Sequence, residues 1–409
     1  MPGAGTLQDG PAVHAEVLGN IQSLLVVVNE PYSPDKYTLT STTLLRDQTS
    51  ILPFPTTVYP QDFKPQNVND NAFSVRLRLA QSITVPHDSE NTILNAKDLK
   101  DISTIKCREC NATLSDKAFP VVKDLPSEHW MELWQATAHH GTPELAFGQQ
   151  YVFAFSSGRR PKFMDLKKAY EDELFFFGRY KDPRSNYHIE FAPSRELMTL
   201  IAEKTPCINI WDNVIAMKWI PMVCSACNSA VGEKQYRVSH NENVAIPNAE
   251  AIKLYKYAVQ ITMKENPANP FQFDASFQRY VAMDFIELFS AHATYKFLIY
   301  DRSDESIHGL IWVFNPDIQV YNSVSNIDDR WQRAMKVLYI DNEVDTAAAS
   351  RHIEKWKIDK SVDKLTYPGK YCRELFAKLT ENNLAIPEHL RKAPAGSPLA
   401  DFGFAYLTR

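Results

Sequence analysis

Two short stretches that are near-copies of each other constrain this chain more than any other feature. Cys107-Arg-Glu-Cys110-Asn-Ala-Thr-Leu114 and Cys224-Ser-Ala-Cys227-Asn-Ser-Ala-Val231 both read Cys-x-x-Cys-Asn-small-x-aliphatic. A Cys-x-x-Cys turn aims two sulfurs at one point, and two such turns supply a tetrahedral four-sulfur donor set of the kind that suits zinc. The residue after the second Cys often needs a left-handed backbone, which Asn tolerates better than most side chains. A redox dithiol would need only one pair beside a βαβ unit. A disulfide fits poorly with a reducing compartment. The reading is one structural zinc held by Cys107, Cys110, Cys224 and Cys227, pinning distant segments together. The long insert between the pairs is no obstacle, because closure entropy grows slowly with loop length.

The rest of the composition narrows the setting. With 409 residues, 44% hydrophobic and 23% charged, the chain can bury a large core, and domain-size priors suggest two or three units. A net charge of -5 argues against a general nucleic-acid binder, so no direct nucleic-acid contact is expected. Six cysteines are too few for a disulfide scaffold, and Cys207 and Cys372 are left over from the knuckles. Residues 1–12 are small and polar and are expected to form a disordered tail; they lack the basic and apolar regions of a signal peptide. No stretch approaches the roughly 18 apolar residues of a membrane span. The expected location is therefore cytoplasm and nucleus, where the sequon Asn111-Ala-Thr113 carries no meaning.

Taken in order, the chain reads as β-rich. From Val13 to about Val85 the signal is strand: Leu24–Val28 is an apolar run, and Val75, Leu77 and Leu79 alternate with Arg76 and Arg78. Pro53, Pro55, Pro60 and Pro65 favour turns between these strands. Glu128–His139, capped by Ser127, reads as a helix with Trp130, Leu133, Trp134 and Thr137 on one face. Strands are expected at Tyr151–Phe155 and Leu174–Phe177, and a basic loop lies between them. That loop carries Arg159, Arg160, Lys162, Lys167 and Lys168, either as a solvated face or as a dock for an acidic partner. Asn241–Glu250 reads as a linker, followed by a strand at Ile252–Ile261 and a helix whose stripe is Phe277, Val281, Phe285, Leu288, Phe289 and His292. Further strands are expected at Tyr295–Tyr300, His308–Phe314, Ala334–Ile340 and Leu399–Leu407, with a helix from Pro368-Gly369 to about Asn382. The fold class that follows is α+β: a β-rich chain with a four-cysteine zinc knot joining distant segments and a few amphipathic helices. The expected division is a tail at 1–12, a β-rich zinc-stapled lobe at 13–240 and an α/β C-terminal lobe at 241–409.

No phosphate loop, dinucleotide fingerprint, nucleophile elbow or His-Glu-x-x-His motif is present, and 13 Gly leave little for nucleotide cradles. The ordered set Cys107-x-x-Cys110, Leu125-Pro-Ser-Glu-His-Trp130, Cys224-x-x-Cys227 with Val231-Gly232, Lys253-Leu-Tyr-Lys-Tyr257 and the closing Phe402–Arg409 resembles the HECT-like family of ubiquitin-conjugating-enzyme-binding proteins. The resemblance runs from about residue 15 to the end, and makes the C-terminal lobe HECT-like. It implies binding of a ubiquitin-conjugating enzyme and ubiquitin-ligase activity, including self-ubiquitination. Through the family's fungal members it also implies a non-enzymatic alternative, in which the chain is a chaperone or scaffold for the endonuclease of messenger-RNA 3'-end cleavage and polyadenylation. The sequence departs from some relatives at Ala138-His139-His140, where a Cys-His pairing is expected.

A HECT-type ligase needs an exposed cysteine of lowered pKa that carries ubiquitin as a thioester. Cys372, between Lys370 and Arg373 in the C-terminal part, is the weak candidate, because it shares a helix stripe with Leu375, Phe376 and Leu379 and reads as buried. Cys207, between Pro206 and Ile208, has no better setting. The catalytic residue is therefore left open, and function is expected to reside on a protein-binding surface.

Overall fold

Strand-forming alternation dominates the computed structural model, which describes residues 11–81, 102–115, 122–125, 175–178, 188–191, 201–203, 216–238, 245–263, 276–324 and 331–409. The N-terminal part holds β1 (Val13–Leu18), β2 (Ser23–Val28), β3 (Tyr37–Leu39), β4 (Thr43–Arg46), β5 (Thr49–Pro53), β6 (Gln66–Asn69) and β7 (Ala72–Arg78). The middle holds β8 (Ile102–Cys107), β9 (Thr113–Ser115), β10 (Val122–Leu125), β11 (Phe175–Gly178), β12 (His188–Phe191) and β13 (Ile201–Glu203). It continues with β14 (Ala216–Cys224), β15 (Ala230–Val238), β16 (Ala245–Tyr255), β17 (Val259–Met263) and helix α1 (Phe277–His292). The C-terminal part holds β18 (Lys296–Asp301), β19 (Ile307–Asn322), β20 (Gln332–Asp341), α2 (Thr346–Ile358), β21 (Val362–Tyr367), α3 (Gly369–Leu384) and β22 (Gly403–Thr408).

The chain forms two compact units, one of Met1–Ser89 with Ala293–Arg409, the other of Glu90–His292. This differs from the division expected at residue 240, and the reason is strand pairing. β1 runs antiparallel to β19, with His14 opposite Asn322, so the N- and C-terminal strands share one sheet of order β21-β18-β19-β1-β2-β7-β6. β20 pairs with β19 and carries β22 on its other side.

In the first unit the alternation of β7 behaves as read. Phe73, Val75 and Leu77 are buried, whereas Arg76 and Arg78 face out. These three pack with Leu24, Val26 and Val28 of β2 and with Tyr37, Leu44 and Leu52 of the small sheet β3-β4-β5. Further along the large sheet, neighbouring residues of β19 meet different helices. Leu310 packs with Ala348, Ala349, Ile353 and Trp356 of α2. A Cβ on Gly309 would run into the Phe376 ring of α3. Successive strand residues point to opposite faces, so α2 and α3 cover the sheet from its two sides. α2 is capped by Asp345, whose carboxylate accepts from the Ala348 N–H at 2.9 Å. The sequence reading contains no helix there.

In the second unit β10-β11-β12-β16-β15-β14-β13 form a seven-stranded sheet and β17-β8-β9 a three-stranded one. Residues 245–250, expected to be linker, are instead the first half of β16, paired to β15 through irregular register near Tyr236. Polar composition misleads there because pairing satisfies backbone groups whatever the side chains are. The stripe Phe277, Val281, Phe285 and Leu288 of α1 is buried as expected. Tyr257 meets Phe277 and Tyr280 edge-on at 4.8 and 5.9 Å, docking the start of α1 on the turn after β16. The expected helix at 128–139, the strand at 151–155, the basic loop at 158–168 and Cys207 lie outside the described residues. Among the described residues no helix is long and apolar enough to cross a membrane.

Candidate metal centre

Each Cys-x-x-Cys is the tip of a β-hairpin. The first joins β8 to β9 and the second joins β14 to β15. The two tips are built by the same bonds. Asn111 N–H donates to Cys107 O at 2.9 Å, and Asn228 N–H to Cys224 O at 2.8 Å. Cys107 N–H donates to Ala112 O at 2.8 Å, and Cys224 N–H to Ser229 O at 2.9 Å. Both asparagines sit at φ 59°, the left-handed conformation expected from their place after the second Cys. Arg108 ties the first tip to the turn after β16, its backbone N–H donating to Ala258 O and its Nη2 to Val259 O, each at 3.1 Å.

The tips bring all four sulfurs together. Cys107 Sγ lies 3.7 Å from Cys227 Sγ, and Cys110 Sγ lies 3.7 Å from Cys224 Sγ. All four are within 4.8 Å of one another, and none is in a disulfide. Four ligands at about 2.3 Å from a tetrahedral ion sit about 3.8 Å apart, so the cage fits a thiophilic metal such as zinc. Electrostatics agrees with that fit. Burial pushes the Cys107 thiol up to about 12, while hydrogen bonds from Ser229 draw Cys227 down to about 6. Left to themselves the four thiols would not all ionise, and a divalent cation at their centre is what lets four thiolates share this space. Cys107 and Cys224 are buried, Cys227 is half-buried and Cys110 is exposed, so the cage lies at the protein surface. It is the one such cluster among the described residues.

Cys372 has a different environment. It is fully buried on α3 with Leu375, Phe376 and Leu379, and its Sγ donates to Tyr300 O at 3.4 Å and Tyr367 O at 3.5 Å. Burial, and after it the charge of Asp301, push this thiol up to about 12. It is a protonated, enclosed group with the character of a core side chain.

The matches to known proteins bear on the same regions. Three of the relatives carry the name E3 ubiquitin-protein ligase. The protein of Mus musculus is 25% identical over 349 residues, covering 80% of this chain and 78% of its own. That of Pongo abelii is 23% identical over 407 residues, covering 93% and 95%. That of Homo sapiens is 22% identical over 311 residues, covering 72% and 71%. No solved structure matches the chain. The family described as HECT-like ubiquitin-conjugating enzyme (E2)-binding matches residues 16–153 and 172–395. Both cysteine pairs and Cys372 fall inside these segments, whereas Arg159, Arg160, Lys162, Lys167 and Lys168 all fall in the gap between them. With most of its length matched and both knuckles built as the motif requires, the chain belongs to the HECT-like ubiquitin-conjugating-enzyme (E2)-binding family.

Proposed function

We propose that this protein binds a ubiquitin-conjugating enzyme and promotes transfer of ubiquitin from it to a lysine of a client or of the protein itself. The observation that carries the reading is the family match over residues 16–153 and 172–395. The ion of the four-cysteine cage is zinc, one per chain, and its role is structural: all four positions are taken by protein sulfurs, leaving no open site for chemistry.

Transfer on this reading needs no thioester on Cys372. That thiol is enclosed and protonated, whereas a ubiquitin-accepting cysteine must be an accessible thiolate. The acceptor lysine instead attacks the thioester carbonyl on the conjugating enzyme. The C–N bond forms, the C–S bond breaks, the enzyme's cysteine leaves as thiolate and the amine proton goes to solvent. This protein contributes proximity and orientation. The basic loop lies outside the matched segments, so we assign it to a partner particular to this chain and place the shared conjugating-enzyme contact elsewhere.

The experiment is discharge of a charged conjugating enzyme by the purified protein, read on reducing and non-reducing gels, for wild type, Cys372→Ala and Cys207→Ala. Binding and accelerated discharge are expected in all three. A reducible ubiquitin adduct that disappears in either variant would replace direct transfer by a two-step ligase. No binding to any conjugating enzyme would remove the proposal.

A further inference from the structure

A second feature lies in the unit of Met1–Ser89 and Ala293–Arg409, on the face of the large sheet opposite the one where Leu24, Val26, Phe73 and Val75 are buried. Side chains alternate along a strand, so Leu25 of β2 and Ser74, Arg76 and Arg78 of β7 belong to that other face. The pairing of β2 with β7 sets Leu25 beside Arg76. With Ile21, in the turn between β1 and β2, and Lys64, just before β6, they line an open groove of about 730 Å³. That volume is within the range of ligand sites.

The groove is positively charged. Lys64, Arg76 and Arg78 are exposed and share it with a single carboxylate, Asp62. Arg78 engages that carboxylate, its Nε donating to one oxygen at 2.7 Å and its Nη2 to the other at 3.2 Å. These bonds, and to a smaller extent the Lys64 charge, hold the Asp62 carboxyl below its ordinary value. Among the described residues no ion pair engages Lys64 or Arg76. Beyond Leu25 in the same row lies Glu16 of β1, 1% exposed. Lys336 Nζ donates to both its oxygens at 2.8 Å. Burial raises the Glu16 carboxyl, but the His14 hydrogen bond and the Lys336 charge outweigh it and hold the group at about 2. Lys336 thus balances Glu16, and the groove keeps a net charge of +2 on a chain whose total is -5.

Apolar side chains share the groove with these charges. Ile21 is 59% exposed and Leu25 is half-buried. Tyr59, also open to solvent, lies beside the groove with the Arg78 guanidinium 5.4 Å from its ring centroid. A single exposed isoleucine needs no explanation. An exposed isoleucine in one groove with two unengaged cations has the make-up of an interface, an apolar anchor beside charges that steer a partner.

The combination selects the occupant. Anionic membranes and nucleic acids present charge over wide areas and would meet the negative total of the chain. Among the described residues lining the groove, none is aromatic, so nothing there stacks a base. A short acidic peptide meets only the local positive charge. From Ser74 to Arg78 the strand runs about 14 Å, the length of about four extended residues. We propose that this groove docks an extended acidic segment of a partner protein. Its carboxylates pair with Lys64 and Arg76, and an apolar side chain between them lies on Ile21 and Leu25. This inference is independent of the conjugating-enzyme reading and of the metal.

The test is fluorescence anisotropy of a dye-labelled, amidated pool of pentapeptides that alternate Asp or Glu with Leu or Ile, titrated with the full chain. The control pool carries Asn or Gln at the acidic positions. Saturable binding of the acidic pool is expected, weakening as salt rises, with the neutral pool bound about ten-fold more weakly or not at all. Arg76→Glu combined with Lys64→Glu should weaken binding of the acidic pool about ten-fold or more. The same double variant should gain binding to a pool with Lys at the acidic positions, which a misfolded chain would not show. Ile21→Ser should weaken binding several-fold, roughly the loss of one half-buried apolar contact. All three positions are exposed, so melting temperatures should stay at the wild-type value. Absence of saturable binding, equal binding of the neutral pool, or a double variant that binds the acidic pool as wild type does would overturn the proposal. So would tighter binding to phosphatidylserine vesicles or to oligothymidylate than to the acidic pool.

Discussion

The two units close distant stretches of chain by opposite means. In Glu90–His292, residues more than a hundred positions apart meet at hairpin tips through four sulfurs. In Met1–Ser89 with Ala293–Arg409, residues about three hundred apart meet through strand pairing, and the β1–β19–β20–β22 region buries a Glu16–Lys336 ion pair on one face. A sulfur cage depends on few atoms and on one ion, so its strength is concentrated and chemically removable. A sheet with apolar faces spreads its strength over many contacts, so single changes act locally.

The largest effect should come from removing the metal. A strong chelator should accelerate hydrogen exchange in 102–115 and 216–238 while β18, β19 and β20 keep their protection. The zinc contribution is on the order of 10 kcal/mol in small domains and less in a large one. Equal protection with and without chelator would refute a structural ion.

Acid should separate the units next, in a set order. Thiolate ligands take up protons as pH falls, so the cage should release metal first. The Glu16 contribution works at lower pH. Its folded carboxyl titrates at about 2 against an ordinary 4.5, so the unfolded chain binds the proton more readily. The stabilisation is full above 4.5 and is lost as pH falls toward 2. It amounts to on the order of 3 kcal/mol for such a shift. Glu16→Gln should flatten this part of the pH–stability curve without altering metal release; an unchanged slope would dissociate Glu16 from acid unfolding.

Gly309→Ala should cost roughly 1–3 kcal/mol by overpacking, because the new Cβ would meet Ile340 O and the Phe376 ring. Metal content should stay at the wild-type level. A variant that melts normally would show that α3 can move aside. The smallest effects belong to the knuckle asparagines. Asn111→Ala and Asn228→Ala should each cost about 1 kcal/mol, since alanine resists φ near 59°, whereas glycine at either position should be close to neutral. Equal melting temperatures for the alanine and glycine variants would remove the left-handed turn as a determinant.

Much of this is legible in the amino-acid order wherever local chemistry is decisive. The cysteine spacing, the asparagine after each pair, the period of β7 and the apolar stripes of α1 and α3 each act within a few residues. α2 escapes such a reading: Ala348 and Ala349 bury little apolar area and give a weak periodic signal, although its Asp345 cap marks its start. Residues 245–250 mislead because a strand held by backbone pairing needs no apolar pattern of its own. The buried network of His14, Glu16, Lys336 and Tyr406 has no sequence signal, since its members come together from β1, β20 and β22.

By itself the sequence determined that two matching turns would each present two sulfurs, because a Cys-x-x-Cys-Asn turn is settled by its own backbone and side chains. Only the tertiary structure decided which strands border each unit and that β1 lies against β19. Those outcomes depend on partners hundreds of residues away, and the energy that selects them comes from burying whole faces against one another rather than from any single stretch of chain.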